Sequence, residues 1–190
     1  MELTNLAQWW VEKYVRKGNL VIDATVGNGH DTLFLARLVG PTGKVVGFDI
    51  QEEAIAATRR RLHEERVLEH VCLFHESHGS LEKRLEALGH PQKPQAIMFN
   101  LGYLPGGNKA ITTRADETIE ALGGALASLA VGGVLSVVLY PGHSEGQREA
   151  AAVSAWAASL RAPCIAAETR LLNRASTAPR LLIVTKGPAE

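Results

Sequence analysis

From residue 20 to residue 185, short apolar runs alternate with longer stretches in which apolar residues recur every three or four positions. The runs predict seven strands: β1 over 20–23, β2 over 44–49, β3 over 71–74, β4 over 96–100, β5 over 134–139, β6 over 164–169 and β7 over 180–185. The periodic stretches predict helices: α2 over 30–39, α3 over 52–65, α4 over 79–88, α5 over 113–130 and α6 over 145–160. Ahead of them, residues 4–17 read as an amphipathic helix, α1. Its Leu6, Trp9, Trp10 and Tyr14 fall at helical spacing, and Glu12, Lys13, Arg16 and Lys17 lie elsewhere around it. Core packing is the expectation for the tryptophans; a cleft wall or a subunit contact are the alternatives. The early strands are nearly continuous apolar runs, as in a sheet buried on both faces. With regular helical crossovers they indicate a doubly wound α/β sheet of seven mostly parallel strands, with helices on both faces. Residues 170–179 form a helix-free link, so the last strand is expected to be antiparallel.

Composition narrows the setting without naming a chemistry. At 190 residues the chain is expected to form one domain, 1–190, with a core that needs no disulfide or metal staple. The 46% hydrophobic and 21% charged fractions match an ordinary soluble globular protein. Twenty basic residues balance twenty acidic ones, so no global field advertises nucleic acid, although a local patch would suffice. Cys72 and Cys164 are far apart and form no CxxC, which reads as buried thiols in a reducing cytosol. No apolar run approaches the ~18 residues of a membrane span. No basic-then-apolar leader opens the chain, so a cytoplasmic location away from membranes is expected.

Candidate chemistry concentrates after β1. Val21-Ile-Asp-Ala-Thr-Val-Gly-Asn-Gly-His-Asp31 reads as a strand ending on Asp23, a glycine turn and the start of α2. The second strand ends on Asp49, 22 residues after Gly27. In a βαβ unit that spacing puts a carboxylate beside the ribose of a nucleotide held on the first turn. Two cofactor classes use this geometry. A dinucleotide wants a third glycine for close helix–strand packing, and a helix N-terminus open to its pyrophosphate. The segment Gly27-Asn28-Gly29-His30-Asp31-Thr32 lacks that glycine and places an acid in the first helical turn. S-adenosylmethionine has no phosphate, and its ammonium and cationic sulfur suit an acid and an amide. The electrostatics therefore favour S-adenosylmethionine over NAD. No metal is expected, because Cys72, His75 and His78 lack a further ligand nearby.

Two further loops add polar groups. His75-Glu76-Ser77-His78 follows β3, where methyltransferases often place polar groups against the adenine edge; a solvated loop with Ser77 as a helix N-cap is the plainer reading. After β4 the chain reads Phe99-Asn100-Leu-Gly-Tyr103-Leu-Pro105-Gly-Gly-Asn108-Lys109. Asn100 thus sits at the carboxyl end of β4, the side on which such sheets bind ligands. Amino-methyltransferases carry an Asp/Asn-Pro-Pro-Tyr-like segment there, whose acid or amide accepts from the target NH2 and whose ring stacks on the base. Asn100-Leu-Gly-Tyr103 keeps the amide and the ring but lacks Pro-Pro, and an ordinary strand-exit turn is the alternative.

Those segments, together with Phe-Asp-Ile-Gln at Phe48 and Tyr140-Pro-Gly-His-Ser-Glu-Gly146, are more specific jointly than singly. Over about residues 20–186 the chain resembles a bacterial family of class I S-adenosylmethionine-dependent methyltransferases. The family was formerly labelled rRNA methylases and is understood as tRNA 5-aminomethyl-2-thiouridine methyltransferases. The resemblance implies a Rossmann-like fold and methylation of the exocyclic amine of 5-aminomethyl-2-thiouridine at the tRNA wobble position. The product would be 5-methylaminomethyl-2-thiouridine. Thr25 departs from the superfamily pattern, which has a glycine there.

The roles this implies fall on named residues. Asp49 would hold the ribose hydroxyls, with Gln51 beside it. Gly27, Asn28, Gly29 and Asp31 would surround the methionine part, and Ser77 and His78 would meet the adenine. Asn100 and Tyr103 would orient the substrate, with Tyr140 and His143 lining the acceptor pocket. His143 could act as the base, and a helix cap is its plainer reading. Lys109, Arg114, Arg148, Arg174 and Arg180 would form a basic rim for the tRNA anticodon loop, whose bases are presented without breaking a duplex. Arg59-Arg60-Arg61 on α3 reads instead as a solvated helical face. A homodimer is expected from the small size and the tryptophan-bearing helix. The competing readings are a methyltransferase for another RNA base or a small amine, an NAD-dependent oxidoreductase, and a non-catalytic S-adenosylmethionine- or RNA-binding module.

Overall fold

A strand such as Val134–Leu139, buried along its whole length, must be covered on both faces. The computed structural model, which describes residues 2–102, 112–170 and 177–188, shows that arrangement. Leu20–Asp23 (β1), Lys44–Asp49 (β2), Val71–His75 (β3), Ala96–Asn100 (β4), Val134–Leu139 (β5), Cys164–Arg170 (β6) and Arg180–Lys186 (β7) form one sheet. The order is β3-β2-β1-β4-β5-β7-β6. Every pairing is parallel except those of β7, which runs antiparallel to both β5 and β6.

Alternation along each strand divides the core in two. Leu20 and Ile22 point to one face, with Phe48, Phe99 and Val137, and pack against α4 (Leu81–Leu88), α5 (Ala115–Ser128) and α6 (Ser144–Ser159). Val21 points to the other, with Val45, Met98 and Val138, and meets α1 (Leu3–Tyr14), α2 (His30–Val39) and α3 (Glu52–Glu64). The crossover helices α2 and α3 of the β1–β3 half lie on one face, and the crossover helix α5 between β4 and β5 lies on the other. β1 and β4, neighbours in the sheet, are therefore the switch point.

Two elements differ from the sequence expectation. Helix α1 ends at Tyr14 rather than residue 17, because Val15 is already extended and the Arg16 guanidinium bonds the carbonyls of Lys13 and Val15. Its core-facing stripe is Leu3, Ala7, Val11 and then Val15, spaced by four. Leu6, Trp10 and Tyr14 lie half-buried on its flank, and Trp9 is 46% exposed with the Lys13 ammonium 3.4 Å above its ring. The small Ala7 lets the helix backbone approach the sheet, which leaves the bulky rings at the margin. Helix α4 begins at Leu81, after a 3-10 turn over His78–Ser80 whose lead residue Ser77 accepts from Gly79 N–H.

Two glycines around the β1 turn are steric requirements. Gly47 on β2 leaves space for the turn after β1, since a Cβ there would lie 2.7 Å from Val26 and 2.8 Å from Leu73. Gly29, in the left-handed region at φ +77°, would carry a Cβ 2.5 Å from the Thr58 hydroxyl. Gly89 is also left-handed, at φ +57°, but faces open space. Gly89→Ala should therefore cost about 1 kcal/mol of stability from backbone strain alone. Gly29→Ala, with strain and collision together, should cost about 2–4 kcal/mol. Urea denaturation of both variants checks the difference, and equal midpoints would contradict it.

Candidate active site

The turn after β1 is laced to both neighbouring strands. Ala24 N–H donates to Met98 on β4 at 2.8 Å, and Val26 N–H donates to Phe48 on β2 at 3.0 Å. Thr25, at the position where a glycine is usual in the superfamily, accepts the Asn100 N–H on its hydroxyl at 2.6 Å. The side chain thus clips the end of β4 to the turn, which a glycine could not do. Asp49 closes the other side, with Oδ2 accepting Gly27 N–H at 2.8 Å and Oδ1 accepting Gln51 N–H at 2.9 Å. From α3, the Thr58 hydroxyl donates to Gly27 O at 3.0 Å, and Arg61 Nε donates to Asn28 O at 2.9 Å. Of the three arginines read as a solvated face, Arg59 and Arg60 are exposed, but Arg61 holds the glycine turn. The i, i+3 spacing from Thr58 to Arg61 was the available signal.

Above these contacts lies a cavity of about 780 Å³, within the range of small-molecule sites. Gly27, Asn28, Asp31, Asp49 and Gln51 line one wall, with Ser77 and His78 at one end. Asn100, Tyr140 and His143 line the opposite wall. Gly29 lies beneath the turn at the start of α2 and does not line the cavity. Arg114 precedes α5 and Arg180 opens β7 beside Leu139, both at the carboxyl edge of the sheet but outside the lining. Tyr103, Lys109 and Arg174 lie outside the described residues. His143 caps α6, its Nδ1 accepting from Gly146 N–H at 3.1 Å. Among the described residues no group of three or more His, Cys, Asp or Glu side chains could hold a metal, and His75 bonds Ile50 O instead.

The electrostatics of the cavity are those of a cation site. Asp23 is buried behind the turn, bonded to the Thr32 hydroxyl at 2.6 Å and to Thr25 N–H at 3.2 Å. Burial, with Asp31 and then Asp49 nearby, pushes its carboxyl up to about 7. Asp31 is also raised, by burial, against hydrogen bonds from Gln8 and Asn100 that hold it down. Burial lowers His78, whose ring packs edge-on to Phe99, and its buried Nε2 has no hydrogen-bond partner. Carboxylates gathered around one end of a cavity favour a positively charged guest, and an unsatisfied ring nitrogen at the other favours a heteroaromatic edge. A pyrophosphate finds the opposite: Asp49 already takes the Gly27 N–H, and Asp31 stands at the helix N-terminus.

Sequence reasoning missed several supporting residues. Gln8 on α1 donates to Asp31 Oδ1 at 2.7 Å, which ties the N-terminal helix into the site. Glu149 on α6 is 2% exposed and accepts the Thr113 and Thr118 hydroxyls at 2.8 and 2.6 Å. Gly102 and Thr113 are in turn bonded both ways, Gly102 N–H to the Thr113 hydroxyl and Thr113 N–H to Gly102 O. Glu149 therefore anchors the base of the loop that leaves β4. Its place one turn before the buried Val153 was a legible signal.

Comparison with known proteins agrees with this reading. Residues 45–185 match the family described as "Putative rRNA methylase". The chain belongs to this family. It is 38% identical, over 96% of its length and 69% of the relative's, to the chloroplastic tRNA (mnm(5)s(2)U34)-methyltransferase of Arabidopsis thaliana. A solved "putative rRNA-methylase" from Clostridium thermocellum superposes with a TM-score of 0.91 at 36% identity, covering 98% of both chains. A "putative methyltransferase" from Streptococcus mutans in complex with SAH superposes at 0.84 with 30% identity, covering 97% of both. This family member is an S-adenosylmethionine-dependent methyltransferase with the Rossmann-like class I fold.

Two outcomes follow for cofactor binding. Asp49→Ala should weaken S-adenosylhomocysteine binding by about 1–3 kcal/mol, read by calorimetry, through lost charge-assisted hydrogen bonds. A bound cation favours the ionised form of Asp23, so S-adenosylmethionine binding should release protons near pH 7. Affinity should then rise by up to about tenfold between pH 6 and pH 8. Affinity that stays level across that interval would dissociate Asp23 from the cation site.

Proposed function

We propose that this methyltransferase acts on tRNA, methylating the exocyclic amine of 5-aminomethyl-2-thiouridine at the wobble position to give 5-methylaminomethyl-2-thiouridine. The observation that carries an amine as acceptor is the side-chain amide of Asn100, at the carboxyl end of β4, in the wall of the same cavity as the Asp31 carboxyl group. An amide oxygen and a carboxylate accept from an amine or ammonium, and neither suits an anionic acceptor. The tRNA substrate is supported by the name of the relative that matches 96% of this chain.

In this reading S-adenosylmethionine supplies an electrophilic sulfonium methyl, and the protein supplies alignment. Asp49 and Gln51 hold the ribose side, and Ser77 and His78 meet the adenine edge. Gly27, Asn28 and Asp31 enclose the methionine end, with Gly29 setting the turn beneath them. Tyr140, 37% exposed with its phenol pushed up by burial and by Asp31, flanks the acceptor on the same wall as Asn100. Because His143 Nδ1 accepts from Gly146, a neutral ring carries its proton on Nε2. His143 then serves as a helix cap, and deprotonation of the amine falls to another group. Arg114, Arg148 and Arg180, with Lys109, would meet anticodon phosphates at the cavity rim.

The family's description favours one second reading, a base of ribosomal RNA. Incubation with cofactor and either tRNA bearing the unmethylated aminomethyl group or ribosomal RNA, followed by nucleoside mass spectrometry, separates the two. One added methyl on the wobble nucleoside is expected; a methyl found only in ribosomal RNA would reverse the choice. Asn100→Ala should lower turnover by about 10²-fold or more while leaving cofactor affinity nearly unchanged. Turnover at the wild-type rate would remove Asn100 from the acceptor site.

A further inference from the structure

We infer that Asp31, steadied by Gln8 from the N-terminal helix and sharing the cavity lining with Asn100, takes the proton from the substrate ammonium before methyl transfer. The inference rests on the amine acceptor proposed above.

The argument begins with the charge state of the substrate. An alkyl amine resembles the lysine side chain, with a pKa of about 10.4, and is protonated at neutral pH. A protonated nitrogen has no lone pair, so one proton must leave before the N–C bond can form. Asp31 is the carboxylate that joins the two halves of the site. It stands in the first turn of α2, beside the glycine turn, and lines the same cavity as Asn100, whose side-chain amide helps hold its pKa down. It is 9% exposed yet lines the cavity. Gln8 Nε2 occupies Oδ1 at 2.7 Å, which fixes the carboxylate plane from a helix the motif does not contain. An ionised carboxylate only accepts, so Asn100 must present its NH2 to Asp31. That orientation leaves the Asn100 carbonyl oxygen for an N–H of the substrate. The two residues together match an ammonium group, one taking a proton and the other accepting a retained N–H.

The balance is simple. The ammonium gives one proton to the Asp31 carboxylate and keeps its N–H electron pair. That pair forms the N–CH3 bond as the S–CH3 bond breaks, its electrons going to sulfur. The product is a secondary ammonium, and the Asp31 proton then passes to solvent. Burial, which disfavours the charged carboxylate, makes Asp31 a better proton acceptor than an exposed aspartate. The charged and titratable groups facing it are Asp23 at the end of β1, His30 beside it on α2 and Tyr140 after β5.

The pH dependence of kcat/KM at saturating cofactor, with aminomethyl-bearing tRNA, tests this. In the wild type the proton moves within the complex, so log kcat/KM should be level from pH 7 to pH 9. Asp31→Asn should lower activity and restore dependence on free amine, rising about tenfold per pH unit over that range. Gln8→Ala keeps the carboxylate but removes a donor that holds its pKa down, so the acid limb should move to higher pH. Calorimetry with S-adenosylhomocysteine and a melting curve on each variant report cofactor binding and folding separately from turnover. A level Asp31→Asn profile at wild-type rate, or an Asp31→Asn loss confined to cofactor affinity, overturns the inference. Should Asp31→Asn fail to fold, an unmoved acid limb in Gln8→Ala overturns it. Absence of wild-type product on this tRNA instead overturns the substrate reading, and the inference with it.

Discussion

The Asp49 carboxylate at the end of β2 takes the Gly27 amide of the turn that follows β1, at 2.8 Å. This contact and its counterpart from Thr25 to Asn100 hold the turn between the two strands that flank β1. The turn would otherwise be a free glycine-rich loop, with its backbone amides open to any anion. Held as it is, its Gly27 amide is spent on Asp49, those of Ala24, Val26 and Gly29 are spent on backbone carbonyls, and the carboxylates of Asp31 and Asp49 line the cavity. The preference for a cationic donor over a diphosphate is therefore built into the hydrogen bonds that fix the backbone.

Rigidity elsewhere serves the same end. The side chains of Thr58 and Arg61 bond the two turn carbonyls from α3, and the close fit of Gly29 against Thr58 leaves no space for an alternative path. On the acceptor side, Glu149 braces Thr113, and Thr113 braces Gly102, so the loop that leaves β4 starts and returns from fixed points. Burial pushes Glu149 up, and its two hydroxyl donors offset part of that cost. Lys186 adds a smaller brace, with its ammonium on the carbonyls of Leu126, Ala127 and Leu129 at the end of α5. Methyl transfer by in-line displacement depends on alignment, and fixed walls on both sides of the cavity are what alignment requires.

The N-terminal helix has a part that its composition disguises. Its aromatic residues suggest a face for packing or association, yet the sheet is met by Leu3, Ala7 and Val11. Its polar Gln8, adjacent in sequence to an exposed tryptophan, reaches Asp31 in the site. A helix outside the βαβ motif thereby controls a carboxylate inside it.

The sequence alone determined the strand and helix order, the parallel sheet with its antiparallel last strand, and the cofactor class. Each of these follows from local pattern: apolar runs, the missing third glycine, and the acid placed 22 residues after Gly27. The same pattern put Asp49 and Asn100 at strand ends, and Asp31 and His78 just beyond strand ends, at the edge of the sheet where such folds bind ligands. Only the tertiary structure decided what each of them touches. That Arg61 supports the turn, that Thr25 clips β4, and that Gln8 reaches Asp31 depends on contacts between residues up to 75 positions apart. Side-chain direction and burial across such separations are set by how helices pack on the sheet, and local pattern carries no record of that.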